Sequence, residues 1–215
     1  MIAVTLQSLP RATIDDLLKV PGKAELIGGR IVHFMATGHT PNITAGRIFR
    51  KLADHIDQLG RGFPYTDNMG FTVPELPSGR ESFSPDVAYY TGPLPMKPMR
   101  FVEGPPDFAV EVRSENDYGP AAELVMAAKR DDYFQAGTLV VCDVDPIAES
   151  IKSYRVDAPD RPQTFHLGEE ANAEPAVPGW SVSVDWVMRS YLENSLDIFC
   201  NGLQSKSSLD GGRLA

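Results

Sequence analysis

After Pro41, apolar residues at Ala45, Ile48, Phe49, Leu52, Ile56 and Leu59 recur every three or four positions. That stripe predicts an amphipathic helix, stopped before Gly60. A second helix is expected over 120–136, where Leu124, Val125, Ala128, Asp132 and Tyr133 follow a mixed helical spacing and Gly137 can close the C-terminus. A short third helix is announced at "ATIDDLLKV" by Thr13 with Asp16 three residues later, a capping-box pattern, and ends at Pro21 and Gly22. Elsewhere the period falls towards two or the apolar residues run together, as strands require. "KAELIGGRIVHFM" reads as a hairpin turned at Gly28 and Gly29, with Glu25 on its first strand. "GFPYT", "GFTVPEL", "DVAYY", "DFAVEVRS" and "TLVVCDVD" read as further strands, and "SIKSYRV" and "PQTFHL" as an antiparallel pair. Proline density from Thr91 to Pro106 predicts a surface loop.

The order helix, hairpin, helix, strands, helix, strands predicts a mixed α/β (α+β) fold with a central sheet flanked by helices. With 215 residues, 42% of them hydrophobic, the chain can bury one substantial core, so a single domain over residues 1–195 is expected. The polar, glycine-rich end, 196–215, reads as a flexible tail. A formal charge of -9 argues against a protein that coats nucleic acid, while leaving room for one basic groove. Two distant cysteines, Cys142 and Cys200, fit neither a disulfide framework nor a metal pair. Together with the absence of an apolar run of about 18 residues or a leader pattern, this predicts a reduced, cytoplasmic protein with no membrane partner. Cys142, inside an apolar strand, is expected to act as a small buried hydrophobe.

Two acids break the apolar pattern. Asp86 follows Pro85 and opens "DVAYY", and Glu111 interrupts "FAVEV". Charged residues are seldom buried unless paired or bound to metal. If these strands are neighbours, the two carboxylates converge at one end of the sheet, and a divalent cation would relieve their repulsion. Oxygen ligands alone, with the Val112 carbonyl as a natural third, point to Mg²⁺ or Mn²⁺. An ion held there can polarise a phosphate and acidify a bound water. Two basic residues compete to complete such a site: Arg113, on the Glu111 face of its strand, and Lys129, on the following helix. Lysine is the better chemical choice, because its compact ammonium can orient water and shift its pKa.

The stretches "AELIGGRIV", "SPDVAYY", "PDFAVEVRS" and "KRDDYFQAGTLVVCDVDP", in this order, resemble the Uma family of restriction-endonuclease-like proteins, a branch of the PD-(D/E)XK nuclease superfamily. The resemblance covers roughly residues 10 to 187. It implies a restriction-endonuclease-like fold, with Asp86 and Glu111 as metal ligands beside Val112. A strand lysine two residues after the glutamate is replaced here by Arg113. The family's "K-x-x-x-Y" arrangement implies that the lysine has moved to Lys129, four residues before Tyr133. "AELIGGR" resembles the family's "YELIDGE" and so implies Glu25 as an accessory catalytic residue. The expected activity is Mg²⁺- or Mn²⁺-dependent hydrolysis of phosphodiester bonds in DNA, by a chain that pairs as a homodimer if it cuts both strands.

Each residue also has a plainer reading. Asp86 suits a carboxylate that caps backbone N–H groups after a proline, and Glu111 an edge-strand acid facing water. Lys129, within "KRDD", suits a solvated helix face, and Glu25 an ordinary hairpin ion pair. His39 is expected to be a surface or capping residue, and Tyr133 and Phe134 to pack in the core. Two other functions compete with the nuclease: an inactive, nuclease-fold interaction protein, and a metal-dependent phosphoesterase acting on small substrates.

Overall fold

A computed structural model describes residues 10–189; the expected tail over 196–215 lies outside them. The chain runs α1 (Ile14–Leu17), β1 (Ala24–Ile27), β2 (Arg30–His33), α2 (His39–Leu59), β3 (Phe63–Thr66), β4 (Phe71–Thr72), β5 (Ser82–Phe83) and β6 (Val87–Tyr90). It continues through β7 (Val102–Glu103), β8 (Phe108–Val112), α3 (Pro120–Ala136), β9 (Val140–Asp145), β10 (Ser150–Arg155), β11 (Ala158–Phe165), β12 (Glu170–Asn172), β13 (Ser181–Ser183) and α4 (Val184–Met188).

The centre is a six-stranded mixed sheet in the order β11-β10-β9-β8-β6-β3. β8 and β9 are parallel and joined by α3, and the other neighbours are antiparallel. Alternation along the strands divides the core between two faces. Val87, Tyr89, Phe108, Val110 and Val112 pack on one face with Ile48, Leu52 and Ile56 of α2. On the other, Ala88, Tyr90, Ala109 and Val141 meet Phe71, Phe83 and Tyr133. Since Glu111 shares its phase with Ala109, β8 turns the acid towards α3, and the same phase on β9 belongs to Val141 and Asp143. The register sets Glu111 opposite Asp143. Three smaller sheets surround this centre: β1-β2, β5-β4-β7 and β12-β13.

Local chemistry accounts for most boundaries. Thr13 and Asp16 form both halves of the capping box that starts α1. Gly28 and Gly29 both take positive φ, 59° and 68°, as a tight hairpin turn demands. α3 begins with Pro120 in its first turn and ends on a left-handed Gly137, matching the predicted 120–136. α2 begins two residues before Pro41, because a proline in the first turn removes an N–H that has no helical partner there.

Three differences from the sequence reading have physical causes. The proline-rich segment contains β7, which pairs in parallel with β4 through only two residues, too few for a periodic signal. β11 starts at Ala158 and so includes Pro159 and Pro162; it is an edge strand, where missing N–H groups cost no ladder bond. Beyond it, β12, β13 and α4 were not predicted. Their short segments bring Trp180, Val182, Val184 and Val187 onto the α2 face of the core.

Candidate active site

β1, β6, β8 and α3 converge on one end of the central sheet. The hairpin carrying β1 is tied to the segment before β6: Leu26 N–H donates to Ser82 Oγ at 2.7 Å, and Glu81 N–H donates to the Leu26 carbonyl at 2.8 Å. Glu25, completely buried, is thereby aimed beneath α3. Its Oε1 accepts the Ser84 N–H at 2.9 Å and lies 3.2 Å from Lys129 Nζ, while Oε2 is bonded by Arg80. Arg80 also donates through Nε to Asp132 Oδ2 at 2.8 Å. A buried carboxylate survives only in such company. Burial by itself would raise the Glu25 pKa, but Lys129 and Arg80, with the Ser84 amide, outweigh it and hold the carboxyl below its ordinary range.

Glu111 stands on the central strand β8, not at an edge, and its side chain is 20% exposed. Lys129 Nζ is 2.8 Å from Glu111 Oε1, and Tyr133 donates its hydroxyl to the same oxygen at 2.7 Å. Four residues apart on α3, Lys129 and Tyr133 share one helix face, so one turn of helix delivers both. The rings of Phe34 and Tyr133 flank the ammonium at 5.6 and 5.9 Å from their centroids. Burial, reinforced by Asp86 and Glu25, raises the Glu111 carboxyl above its usual range despite Lys129 and Lys23. Burial works against the Lys129 ammonium, yet Glu111 and Glu25 together lift its pKa, so it stays charged.

Asp86 precedes β6, which pairs with β8 as the convergence of the two acids requires. Its Oδ2 accepts the Val112 N–H at 2.8 Å, and its own N–H donates to the Val110 carbonyl at 3.0 Å. The capping role expected after a proline is present, and the same side chain lines the cleft. Asp86 Oδ1 is held by Lys23 Nζ at 2.6 Å, which also reaches Asp67 Oδ1 at 2.7 Å. Asp86, Glu111, Val112, Lys23 and Lys129 all line one cleft of about 770 Å³, and His39 lies on its rim as an exposed residue at the start of α2.

Arg113 is turned elsewhere. It makes a bidentate pair with Asp143, Nε to Oδ1 at 2.8 Å and Nη2 to Oδ2 at 2.7 Å, and bonds Glu123 on α3. Only 4% of its side chain is exposed. Of the two basic residues that compete in the sequence, Lys129 meets the acids and Arg113 braces β8 against β9 and α3.

Among the described residues, no three His, Cys, Asp or Glu side chains are grouped as a metal centre. Of the acids that line the cleft, Asp86 and Glu111 are the two that the sequence singles out, and Val112 lines it beside them. Glu111 directs both of its bonds through Oε1, leaving Oε2 for a cation. That oxygen-only set suits Mg²⁺, which keeps several of its waters, and does not suit zinc.

Lys23, Arg80, Asp67 and Asp132 escaped the sequence reading. Lys23 lies two residues before Glu25 and so shares its strand phase, a signal that was present. Arg80 sits in the polar turn "PSGRES", and nothing in that turn marks it as buried. Tyr133 and Cys142 are buried as expected, and burial pushes the Cys142 thiol up to about 12.

Comparison with known proteins bears on the fold and the family. The solved structure of "a putative nuclease belonging to DUF820" from Anabaena variabilis superposes with a TM-score of 0.64 at 16% identity, covering 82% of this chain and 97% of that one. It shares the fold. No curated protein matches the sequence. Residues 14–185 match the family described as "Uma2: Putative restriction endonuclease". With most of its length inside that match, the chain belongs to the Uma2 family, described as a putative restriction endonuclease.

Proposed function

We propose that this protein is a Mg²⁺- or Mn²⁺-dependent endonuclease that hydrolyses phosphodiester bonds of DNA. One observation carries the reading: Lys129, delivered from α3, lies 2.8 Å from Glu111 and 3.2 Å from Glu25, in the cleft that also holds Asp86. A helix thus supplies the ammonium that the strand position at Arg113 does not.

Asp86, Glu111 and the Val112 carbonyl would hold the ion. When bound, it supplies polarisation of the scissile phosphate and a more acidic water. The protein's own groups do the rest. The Val112 N–H fixes the Asp86 carboxylate, and the Tyr133 hydroxyl fixes that of Glu111. Glu25, anchored by Arg80 and the Ser84 amide, keeps the Lys129 ammonium charged and aimed into the cleft. From there Lys129 can orient the attacking water or stabilise negative charge growing on phosphate oxygens. Cutting both strands would call for a two-fold pair of such sites, hence a homodimer.

The test is a plasmid-nicking assay with Mg²⁺ or Mn²⁺, comparing wild type with Asp86→Asn and Glu111→Gln. Metal-dependent nicking that both substitutions abolish is expected. Wild-type protein that binds metal but cleaves small phosphodiesters and not DNA would point to a small-substrate phosphoesterase; no cleavage of either would point to an interaction protein on the nuclease fold.

A further inference from the structure

Lys23 holds the Asp86 oxygen that a metal ion in the proposed site would use. Asp86 has two oxygens: Oδ2 is committed to the Val112 N–H at 2.8 Å, and Oδ1 is taken by the Lys23 ammonium at 2.6 Å. A divalent ion bound at Oδ1 would meet that ammonium at short range, and like charges so close repel strongly in a site screened from water. Lys23 has a second partner within reach. Asp67, just past β3 and more exposed than Asp86, already lies 2.7 Å from the same nitrogen. The main chain of Lys23 is fixed independently of its side chain, because its carbonyl accepts the Phe34 N–H at 2.9 Å and so closes the hairpin.

Resting on the metal-dependent reading above, we propose that Lys23 is a resident counter-cation. It neutralises Asp86 while no ion is bound and passes to Asp67 when a divalent ion arrives. The site then never leaves Asp86 as a bare, half-buried carboxylate, and the affinity for metal becomes the free energy of an exchange. Two consequences follow from that exchange. Removing the ammonium tightens metal binding. Removing Asp67 takes away the place to which Lys23 retreats, and weakens metal binding only while Lys23 is present.

The experiment is a Mn²⁺ titration by calorimetry of the full chain, as wild type, Lys23→Gln, Asp67→Asn and the double variant, with Asp86→Asn as the control lacking the site. Thermal melts verify folding, and Lys23→Arg, which keeps the charge, serves as a second probe. The expected result is Mn²⁺ binding tightened by about fivefold or more in Lys23→Gln, and left within about twofold of wild type in Lys23→Arg. Asp67→Asn should weaken binding in the wild-type background and have no effect beside Lys23→Gln, a coupling that the double-mutant cycle reads directly. Equal or weaker binding by Lys23→Gln, with Asp86→Asn still abolishing it, would overturn the exchange and leave the metal site standing. An Asp67→Asn effect that persists without Lys23 would do the same, since it would reflect plain electrostatics. Absence of binding in both wild type and Lys23→Gln would overturn the metal reading itself.

Discussion

At the scale of single residues, the proposed mechanism separates groups assigned to act from groups assigned to hold. Lys129 touches both Glu111 and Glu25 and faces the cleft. Its replacement by Ala should lower nicking by about 10²-fold or more, the usual worth of one charge-stabilising group. The melting temperature should fall as well, because Glu25 and Glu111 lose a shared cation, so nicking is compared per folded molecule. Replacing Glu25 should cost stability directly, and nicking through the loss of an anchor for Lys129. Its folded carboxyl sits below the ordinary 4.5, since Lys129 and Arg80 outweigh its burial. A carboxyl that loses its proton more readily when folded stabilises the fold above its unfolded pKa, and that contribution is lost as pH falls through the folded value. Glu25→Gln should therefore cost about 3 kcal/mol at neutral pH. Wild type and variant should converge in acid, as denaturant titrations across pH 7 to 3 would register; a constant gap would assign the loss to packing. Asp86 and Glu111 were legible in the sequence because an acid in an apolar strand is chemically expensive. Arg80 was not, because a basic residue in a polar turn is ordinarily solvated; Lys23 carried a phase signal, but only the fold reveals the acids around it.

Among elements, the βαβ unit of β8, α3 and β9 makes the site rigid. Its inward face would be a line of charges, Glu111, Arg113 and Asp143, were these not paired across the unit. Arg113 bridges Asp143 of β9 and Glu123 of α3, with the Asp117 carbonyl as a further acceptor at 3.3 Å. Arg113→Met would leave Asp143 buried with Arg130 at 3.7 Å as its remaining cation. A loss of about 3–5 kcal/mol in chemical denaturation is expected, with residual activity per folded molecule well above that of Lys129→Ala. Comparable inactivation without loss of stability would return Arg113 to the catalytic role its strand position suggests. Legibility at this scale followed local chemistry. α3 was readable to both ends because Pro120 and Gly137 bracket it, and the β1-β2 turn because paired glycines allow positive φ. β12, β13 and α4, each five residues or fewer, exist through contacts with α2 and the sheet, and no local period announces them.

For the whole molecule, the proposed function requires a chain of formal charge -9 to approach a polyanion. Within the cleft the lysines are already matched: Lys23 by Asp67 and Asp86, and Lys129 by Glu25 and Glu111. Little positive field is left over for phosphate, so the apo protein should bind DNA weakly and with a shallow salt dependence. In the proposed mechanism, a divalent ion at Asp86 and Glu111 would change that balance where the scissile phosphate would lie. Metal and DNA should then bind with positive coupling, and linkage requires each to raise the affinity for the other by the same factor. Fluorescence anisotropy of a labelled duplex measures this without turnover if Ca²⁺, an oxygen-seeking ion of looser geometry, replaces Mg²⁺. Wild type should gain about tenfold or more in DNA affinity on adding Ca²⁺, and Asp86→Asn and Glu111→Gln should gain nothing. Equal DNA affinity with and without the ion would mean that DNA is held by a surface away from these acids, and the cleft would then serve another substrate.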